Sequence, residues 1–392
     1  MKDSRMRIAV ISSVPPISTM GGEVILYRHL KSIANAEILV ITDKECEGIE
    51  FPHYHLPQWK WWTRLERTRF SLLMHFLGNI YFYPYDMRSF FGKINSFKPD
   101  IILTVAAGKL QWIASLTSSR KNIPLVSFFH DAWPEMIPLS SFCRRLIRNK
   151  FIKLSKKSSK ALCVSEGIIS YLGNSKNIEL LYPLCSEEIE LTLDYQKSGN
   201  DRRLFYGGNI SDIYGGYIRD ICRVIQRDAG FSFYIAGSNP DWNLNEILVR
   251  NPTIRYLGLL DSDEMSRECL KADILIVLMS FREKDCIRME TSFPSKFIQY
   301  LQFEKPIAIW APEYSTIAQF ARKQGLDLCF TEPDADLFVG EIKSFLSDQN
   351  RITKSIEIIR RLKNGEFNPD QIKKKFEVAM EETYRFKMKK IF

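Results

Sequence analysis

Lys296 follows Pro294-Ser295 in the first turn of an expected helix, a place where a cation is unusual. Ser is ordinary at a helix cap, but the positive end of the helix dipole favours acids over lysine. An anion in front of the helix removes the conflict, because free backbone N–H groups and one ammonium together form a phosphate site. The plain alternative is a surface lysine on a strand-to-helix turn. A second candidate is His130 in Phe128-Phe129-His130-Asp131-Ala132-Trp133-Pro134, directly after an expected strand. There it is suited to bond a hydroxyl or to assist at a reacting centre, with Asp131 orienting the loop. A structural histidine capping a turn is the competing reading.

Glycines mark further candidates. Thr19-Met20-Gly21-Gly22 opens the first expected helix, and paired glycines let a ligand approach the backbone closely. The spacing is not G-x-G-x-x-G and no acid follows at the ribose position, so a dinucleotide fingerprint is not supported. In the second half, Gly207-Gly208-Asn209, Gly237-Ser238 and Gly258-Leu259 end successive expected strands. Each glycine alone needs only a tight turn, but three in consecutive units make room for a planar base and its ribose. His53 and His55 are the closest pair of histidines and lack further ligands, and the eight cysteines form no C-x-x-C pair. No metal site is expected, and the cysteines read as free and reduced.

These residues need a scaffold, and the chain supplies one by alternation. Arg7–Val14, Ala36–Thr42, Ile101–Val105, Pro124–Phe129, Ala161–Val164 and Ile178–Tyr182 read as strands among amphipathic segments such as Gly22–Ile33. The charged stretch 186–203 breaks the rhythm and is the linker candidate. The alternation then restarts at Leu204–Tyr206 and runs through Ser232–Ile235, Ile254–Tyr256, Ile274–Leu278, Ile307–Ile309 and Leu326–Cys329. Strands alternating with helices predict parallel sheets covered on both faces, hence two tandem doubly wound, Rossmann-like α/β domains. The expected boundaries are 1–185, a linker 186–203, 204–368, and a polar helix over 369–392 crossing back over the first domain. Ligands of such sheets bind beyond the carboxyl ends of the strands, so the cleft between the domains is the expected site.

The order of these motifs resembles the GT-B glycosyltransferases, and most the family 4 type of retaining, nucleotide-sugar-dependent enzymes. The resemblance covers nearly the whole chain. It rests on Gly21-Gly22, His130-Asp131, Val164-Ser165-Glu166, Tyr182-Pro183, Gly207-Gly208, Leu257-Gly258, Ala272-Asp273, Phe293-Pro294-Ser295-Lys296 and Lys305-Pro306. It implies a sugar moved from a nucleotide-diphosphate sugar to a saccharide or lipid-linked acceptor, in surface-polysaccharide or glycoconjugate assembly. The second domain would hold the donor and the first most of the acceptor, with no metal and no cofactor beyond the nucleotide-sugar. His130 and Lys296 would then be catalytic. Gly21, Gly22, Gly208, Asn209, Gly237, Leu259, Arg282, Arg288, Ser295 and Gln299 would surround the donor, and Asp131 and Trp133 the acceptor. Thr291 and Gln299 stand where the family commonly carries glutamates, and Asn209 and Gly215 where it carries Arg and Lys. A sugar-nucleotide epimerase and a non-catalytic sugar-nucleotide or glycan-binding protein are the alternatives.

Charge adds a partner. The net charge of +9 is uneven: the segment 144–160 carries eight Lys and Arg and no acid. Apolar residues recur through it at helical spacing, so one face packs and the other is a basic stripe. That stripe is either a solvated face or an attraction for an anionic membrane surface or acceptor. Nucleic acid is not expected, since no nucleic-acid motif accompanies it. Phe51–Phe91 mixes aromatics with Lys60, Arg64, Arg67, Arg69 and Arg88, which suits a membrane interface, a sugar-stacking surface, or an ordinary hairpin on the first sheet. No apolar run is long enough to span a bilayer and no signal-peptide layout leads the sequence, so a cytoplasmic location, loosely membrane-associated, is expected.

Overall fold

Short, mostly apolar runs form strands buried on both faces, as in Ile101–Val105, Leu125–Phe129 and Ile274–Leu278, where every residue is buried. The computed structural model describes residues 5–18, 21–184, 202–227, 230–238, 240, 242, 248 and 252–391. The chain divides into two units, Met1–Leu184 with Pro369–Phe392, and Cys185–Asn368. Most of the expected linker 186–203 and the pair Thr19-Met20 lie outside the described residues.

The first unit holds strands β1 (Met6–Ile11), β2 (Ala36–Thr42), β3 (His53–His55), β4 (Ile101–Val105), β5 (Leu125–Phe129), β6 (Lys160–Cys163) and β7 (Ile178–Leu180). They form one seven-stranded sheet in the order β3-β2-β1-β4-β5-β6-β7. Every pairing is parallel, with Ile8 opposite Ile38 on one side and Ile101 on the other. The second unit holds β8 (Arg202–Gly207), β9 (Phe231–Ala236), β10 (Ile254–Tyr256), β11 (Ile274–Leu278), β12 (Ile307–Trp310) and β13 (Cys329–Phe330). Its six-stranded sheet, also parallel, runs β10-β9-β8-β11-β12-β13.

Both sheets share one winding. The first strand of each unit lies at the centre, the next two go to one side, and the rest go to the other. Strand order therefore reverses between β1 and β4, and again between β8 and β11. Ligands of doubly wound sheets collect beyond the carboxyl ends of the strands at such reversals.

The final helix, Pro369–Ile391, groups with the first unit. Its Ile372, Phe376, Ala379, Met380 and Thr383 are buried at helical spacing, and Phe376 packs 4.9 Å from the His29 ring. Lys160 at the start of β6 holds Glu382 at 2.8 Å.

The basic segment forms the helix Ser141–Lys157, capped by the Ser140 side chain. Part of its stripe is turned inward. Arg148 Nε donates to Glu135 Oε1 at 2.6 Å, and Arg144 lies 4.0 Å from the same carboxylate. Lys150 donates to the carbonyls of Asn79 and Ile80 at 2.6 and 3.3 Å. The solvated remainder is Arg145, Lys153, Lys156 and Lys157. Among the described residues no helix is long and apolar enough to cross a membrane.

Candidate functional site

Lys296 lies in the seven-residue helix Ser295–Leu301, between β11 and β12. Tyr300, one turn later on the same face, sets where that helix sits. The Gly207 N–H donates to Tyr300 Oη at 3.0 Å, which pins the helix to the carboxyl end of β8. Lys296 is thereby laid on Gly208: a methyl placed there would meet Lys296 Cε at 3.2 Å. The sheet's order reversal is what makes this contact, because β11 leads to Lys296 and β8 to Gly208.

The surrounding glycines are packing requirements as well as openings. A Cβ on Gly237 would fall 2.0 Å from the Gly208 carbonyl oxygen, so two strand-end backbones touch there. Gly208 N–H donates to the Ala236 carbonyl at 2.9 Å and Gly237 N–H to the Gly258 carbonyl at 2.8 Å. Gly258 adopts φ +76°, which suits glycine, and turns the chain to Leu259, a leucine left 81% exposed.

No hydrogen bond or ion pair engages the Lys296 ammonium among the described residues. Burial pushes its pKa below the ordinary lysine value, and the buried Cys269 thiol nearby opposes the shift. Burial also pushes the Cys269 thiol up, to about 12, so that thiol stays neutral and supplies no counter-charge. A desolvated cation with no carboxylate against it is costly unless an anion arrives. Gln299, one turn along, is half-buried, and no partner engages its side-chain amide among the described residues.

The other donor candidates divide. Pro294, rather than Ser295, occupies the cap position, and no side chain caps this helix. Ser295 is the first helical residue and is exposed, so the expected serine cap is not formed; the chain is already helical at that position. Asn209 is exposed, and its Oδ1 accepts from the N–H and hydroxyl of Ser211 at 3.0 and 2.9 Å, tying the turn before the next helix. Arg282 Nε donates to Asp285 Oδ2 at 2.6 Å, so its guanidinium is engaged by an acid of its own loop. Arg288 is half-buried in the helix Cys286–Thr291 and has no ion pair among the described residues. Gly215 is covered by Trp242, whose Cδ1 would lie 2.9 Å from a Cβ there, which leaves no room for a long cation. The buried Thr291 turns its hydroxyl back to the Ile287 carbonyl at 2.7 Å.

In the first unit, Gly21 and Gly22 open the helix Gly21–Lys31. His130 follows β5, with its ring 4.3 Å from and edge-on to Phe128 and its Nε2 buried without a hydrogen-bond partner among the described residues. Burial lowers its pKa to about 4, so the ring is neutral near pH 7. Asp131 and Trp133 are half-buried beside it, Trp133 opening a short 3-10 turn that reaches Glu135. Glu135 is held by Arg148 and by the Tyr171 hydroxyl at 2.7 Å, which steadies the loop carrying His130.

One cluster was missed by reading the sequence. At the β1–β4 reversal, Asp43 Oδ2 accepts from Tyr85 Oη at 2.6 Å and Ser13 Oγ at 3.2 Å, while Asp43 Oδ1 is buried without a partner among the described residues. Gly108, at φ +71°, lies against Ser13, where a Cβ would come within 2.4 Å of the serine's own. The signal was available: Ser13 and Asp43 sit just past the carboxyl ends of β1 and β2. Among the described residues no cluster of three His, Cys, Asp or Glu side chains is arranged to hold a metal ion.

The sequence matches no protein-family model and no curated protein. Solved structures match the architecture over almost its full length. A glycosyltransferase from Rickettsia africae is similar with a TM-score of 0.67 and 14% identity, covering 97% of this chain and 98% of its own. The Anabaena protein HepE, solved with UDP and glucose, gives 0.65 and 12%, covering 96% and 99%. WaaG, a glycosyltransferase of lipopolysaccharide biosynthesis, gives 0.58 and 12%, covering 95% and 98%. The fold is GT-B. At these identities the likeness is one of fold alone, and it agrees with the two doubly wound sheets seen here.

Proposed function

We propose that the protein is a glycosyltransferase moving a sugar from a nucleotide-diphosphate sugar to a saccharide or lipid-linked acceptor. The observation that carries this reading is Lys296, half-buried and without an ion pair or hydrogen bond among the described residues, seated on Gly208 at the strand-order reversal of the second unit. The GT-B fold neighbours support it, and among them WaaG, a glycosyltransferase involved in lipopolysaccharide biosynthesis, accords with work in surface-polysaccharide or glycoconjugate assembly.

In this reading the diphosphate lies against the Lys296 ammonium, which is desolvated beforehand and needs no reorganisation. Gly208 and Gly237 keep side chains out of the way, Gln299 bonds a ribose hydroxyl, and Leu259 offers an apolar face to the base. The anomeric C–O bond to phosphate breaks through an oxocarbenium-like state while negative charge grows on the departing nucleoside diphosphate. Lys296 stabilises that charge. The acceptor hydroxyl oxygen bonds to the anomeric carbon and its proton leaves with the phosphate. Transfer is retaining and metal-independent in this reading. His130, neutral with a free Nε2, bonds a sugar hydroxyl, and Asp131 and Trp133 serve the acceptor.

Calorimetric titration with UDP-, GDP- and ADP-sugars, followed by assay of nucleotide release, tests the proposal. Binding of one donor with release on adding an acceptor is expected. Binding without release under every acceptor favours a non-catalytic sugar-nucleotide-binding protein, and absence of any binding removes the reading altogether.

A further inference from the structure

The helical hairpin after β3 exposes what soluble proteins usually bury. Trp59 and Trp61 are 41% and 52% exposed and stack at 5.7 Å. Leu72 and Leu73 in the helix Ser71–Ile80 are about as open, at 51% and 49%, and half-buried Phe76, Leu77 and Ile80 extend the same stripe at helical spacing. Tyr81 and Phe82 continue it beyond the helix, at 67% and 50%. An apolar patch of this extent marks an interaction surface.

Its rim is cationic. Lys60, Arg64, Arg67 and Arg69 are exposed around the hairpin. The only acid between Phe51 and Tyr85 is Glu66, and it is turned inward to the buried Lys109. Beside the hairpin lies the helix Ser141–Lys157, joined to it by Lys150 on the terminal carbonyls of Ser71–Ile80. There a cavity of about 260 Å³ is lined by Tyr83, Trp112, Lys150, Lys153 and Lys157 without any acid. Burial, then the neighbouring Lys157, lowers the Lys150 pKa to about 8, so this cavity gains from an anion.

We propose that this face of the first unit docks on a bilayer containing anionic phospholipid. The hairpin sets its aromatic and leucine side chains into the headgroup boundary, and the lysine cavity takes a lipid phosphate. Rings with one apolar body and a polar edge prefer that boundary, and the exposed cations match the sign of the surface. A sugar-stacking platform fits less well: Leu72 and Leu73 offer a hydroxylated ring nothing to bond, and the rim supplies cations alone. The inference concerns the first unit and stands whether or not the donor reading holds.

The test uses the full chain without donor or acceptor. Co-sedimentation with phosphatidylcholine vesicles is compared with vesicles also containing phosphatidylglycerol, over a salt series, while tryptophan emission is recorded. Binding to the anionic vesicles, a blue shift on binding and loss at high salt are expected. Lys153→Ala and Lys157→Ala each weaken binding about fivefold. Trp61→Ser combined with Leu72→Ser and Leu73→Ser weakens it by about tenfold or more at every salt concentration. All of these residues are exposed, and an unchanged thermal melt checks the fold. Equal retention on neutral and anionic vesicles, or no retention, overturns the proposal. So does self-association in the absence of lipid that the triple variant abolishes, since the face is then a contact between copies.

Discussion

Lys296 Cε lies against Gly208, close enough that a single methyl on the glycine would press on it at 3.2 Å. The contact joins the end of β8 to the helix Ser295–Leu301 that comes after β11, and among the described residues no carboxylate pairs with the ammonium. It decides how the two residues respond to substitution.

Lys296→Met removes an unpaired, desolvated charge and keeps the volume. We expect a raised or unchanged melting temperature together with loss of donor binding, and loss of nucleotide release by about 3–4 kcal/mol of barrier in Lys296→Ala. Calorimetry and a release assay on the folded variants check it. Near-wild-type turnover would remove Lys296 from the chemistry.

Gly208 and Gly237 should separate function from fold. Alanine at Gly208 meets the end of the Lys296 side chain and the Tyr206 hydroxyl, each at 3.2 Å, tight contacts without overlap, so the protein folds with a small loss of stability and donor affinity falls. Alanine at Gly237 meets the Gly208 carbonyl oxygen at 2.0 Å and forces the backbones apart, costing about 1–3 kcal/mol or more. Urea unfolding and donor titration of both variants read the difference, and equal behaviour would refute the contact.

The ion pair of Lys109 with Glu66 holds the aromatic hairpin to the first sheet. The two side chains are 8% and 15% exposed, Lys109 also donates to Gln58, and the Trp62 indole donates to Glu66 at 2.9 Å. Lys109→Met strands a buried carboxylate and should cost about 3–5 kcal/mol, whereas the double change Lys109→Met with Glu66→Gln recovers part of it. Denaturant midpoints for the cycle decide, and additive losses would argue against the pairing.

One buried and one half-buried histidine make stability depend on acid. His29 is fully buried between Phe128 and Phe376, and burial lowers its pKa to about 3, with His130 and Arg28 adding to the effect and the Tyr182 backbone opposing it. His130 is lowered to about 4 by burial. The unfolded chain takes up both protons near pH 6.5 while the folded chain does not. Stability is therefore full above about pH 6.5 and falls as the pH drops toward the folded values, by about 2 kcal/mol per histidine at pH 5. Denaturant midpoints at pH 7.5 and 5 measure the slope. His29→Phe should flatten it, and an unaltered slope would assign the acid sensitivity elsewhere.

The alternation of apolar runs and amphipathic segments was enough to read two tandem α/β units, because burial on both faces of a parallel sheet imposes that pattern locally. The same local logic singled out the strand-end glycines and His130 by their place after an apolar run, and Lys296 as a cation in the first turn of a helix. It misplaced the helix cap at Ser295 and treated all the cations of 144–160 as one stripe. Arg144 and Arg148 are drawn to Glu135 in the short turn that precedes their helix, and Lys150 to the end of another helix, by folding that periodicity does not encode.

Asp43 escaped notice for a related reason. Nothing in its sequence neighbourhood indicates that Tyr85 and Ser13 will converge on it.

By itself, then, the sequence determined the two tandem α/β units and named candidate residues at the ends of their strands, since hydrophobic period and glycine placement act within a few residues. The tertiary structure alone decided that Lys296 meets Gly208 with no acid paired to it among the described residues, while Arg282 is neutralised by Asp285. Such pairings depend on which strand ends lie side by side, and strand order is settled by packing between segments far apart in the chain.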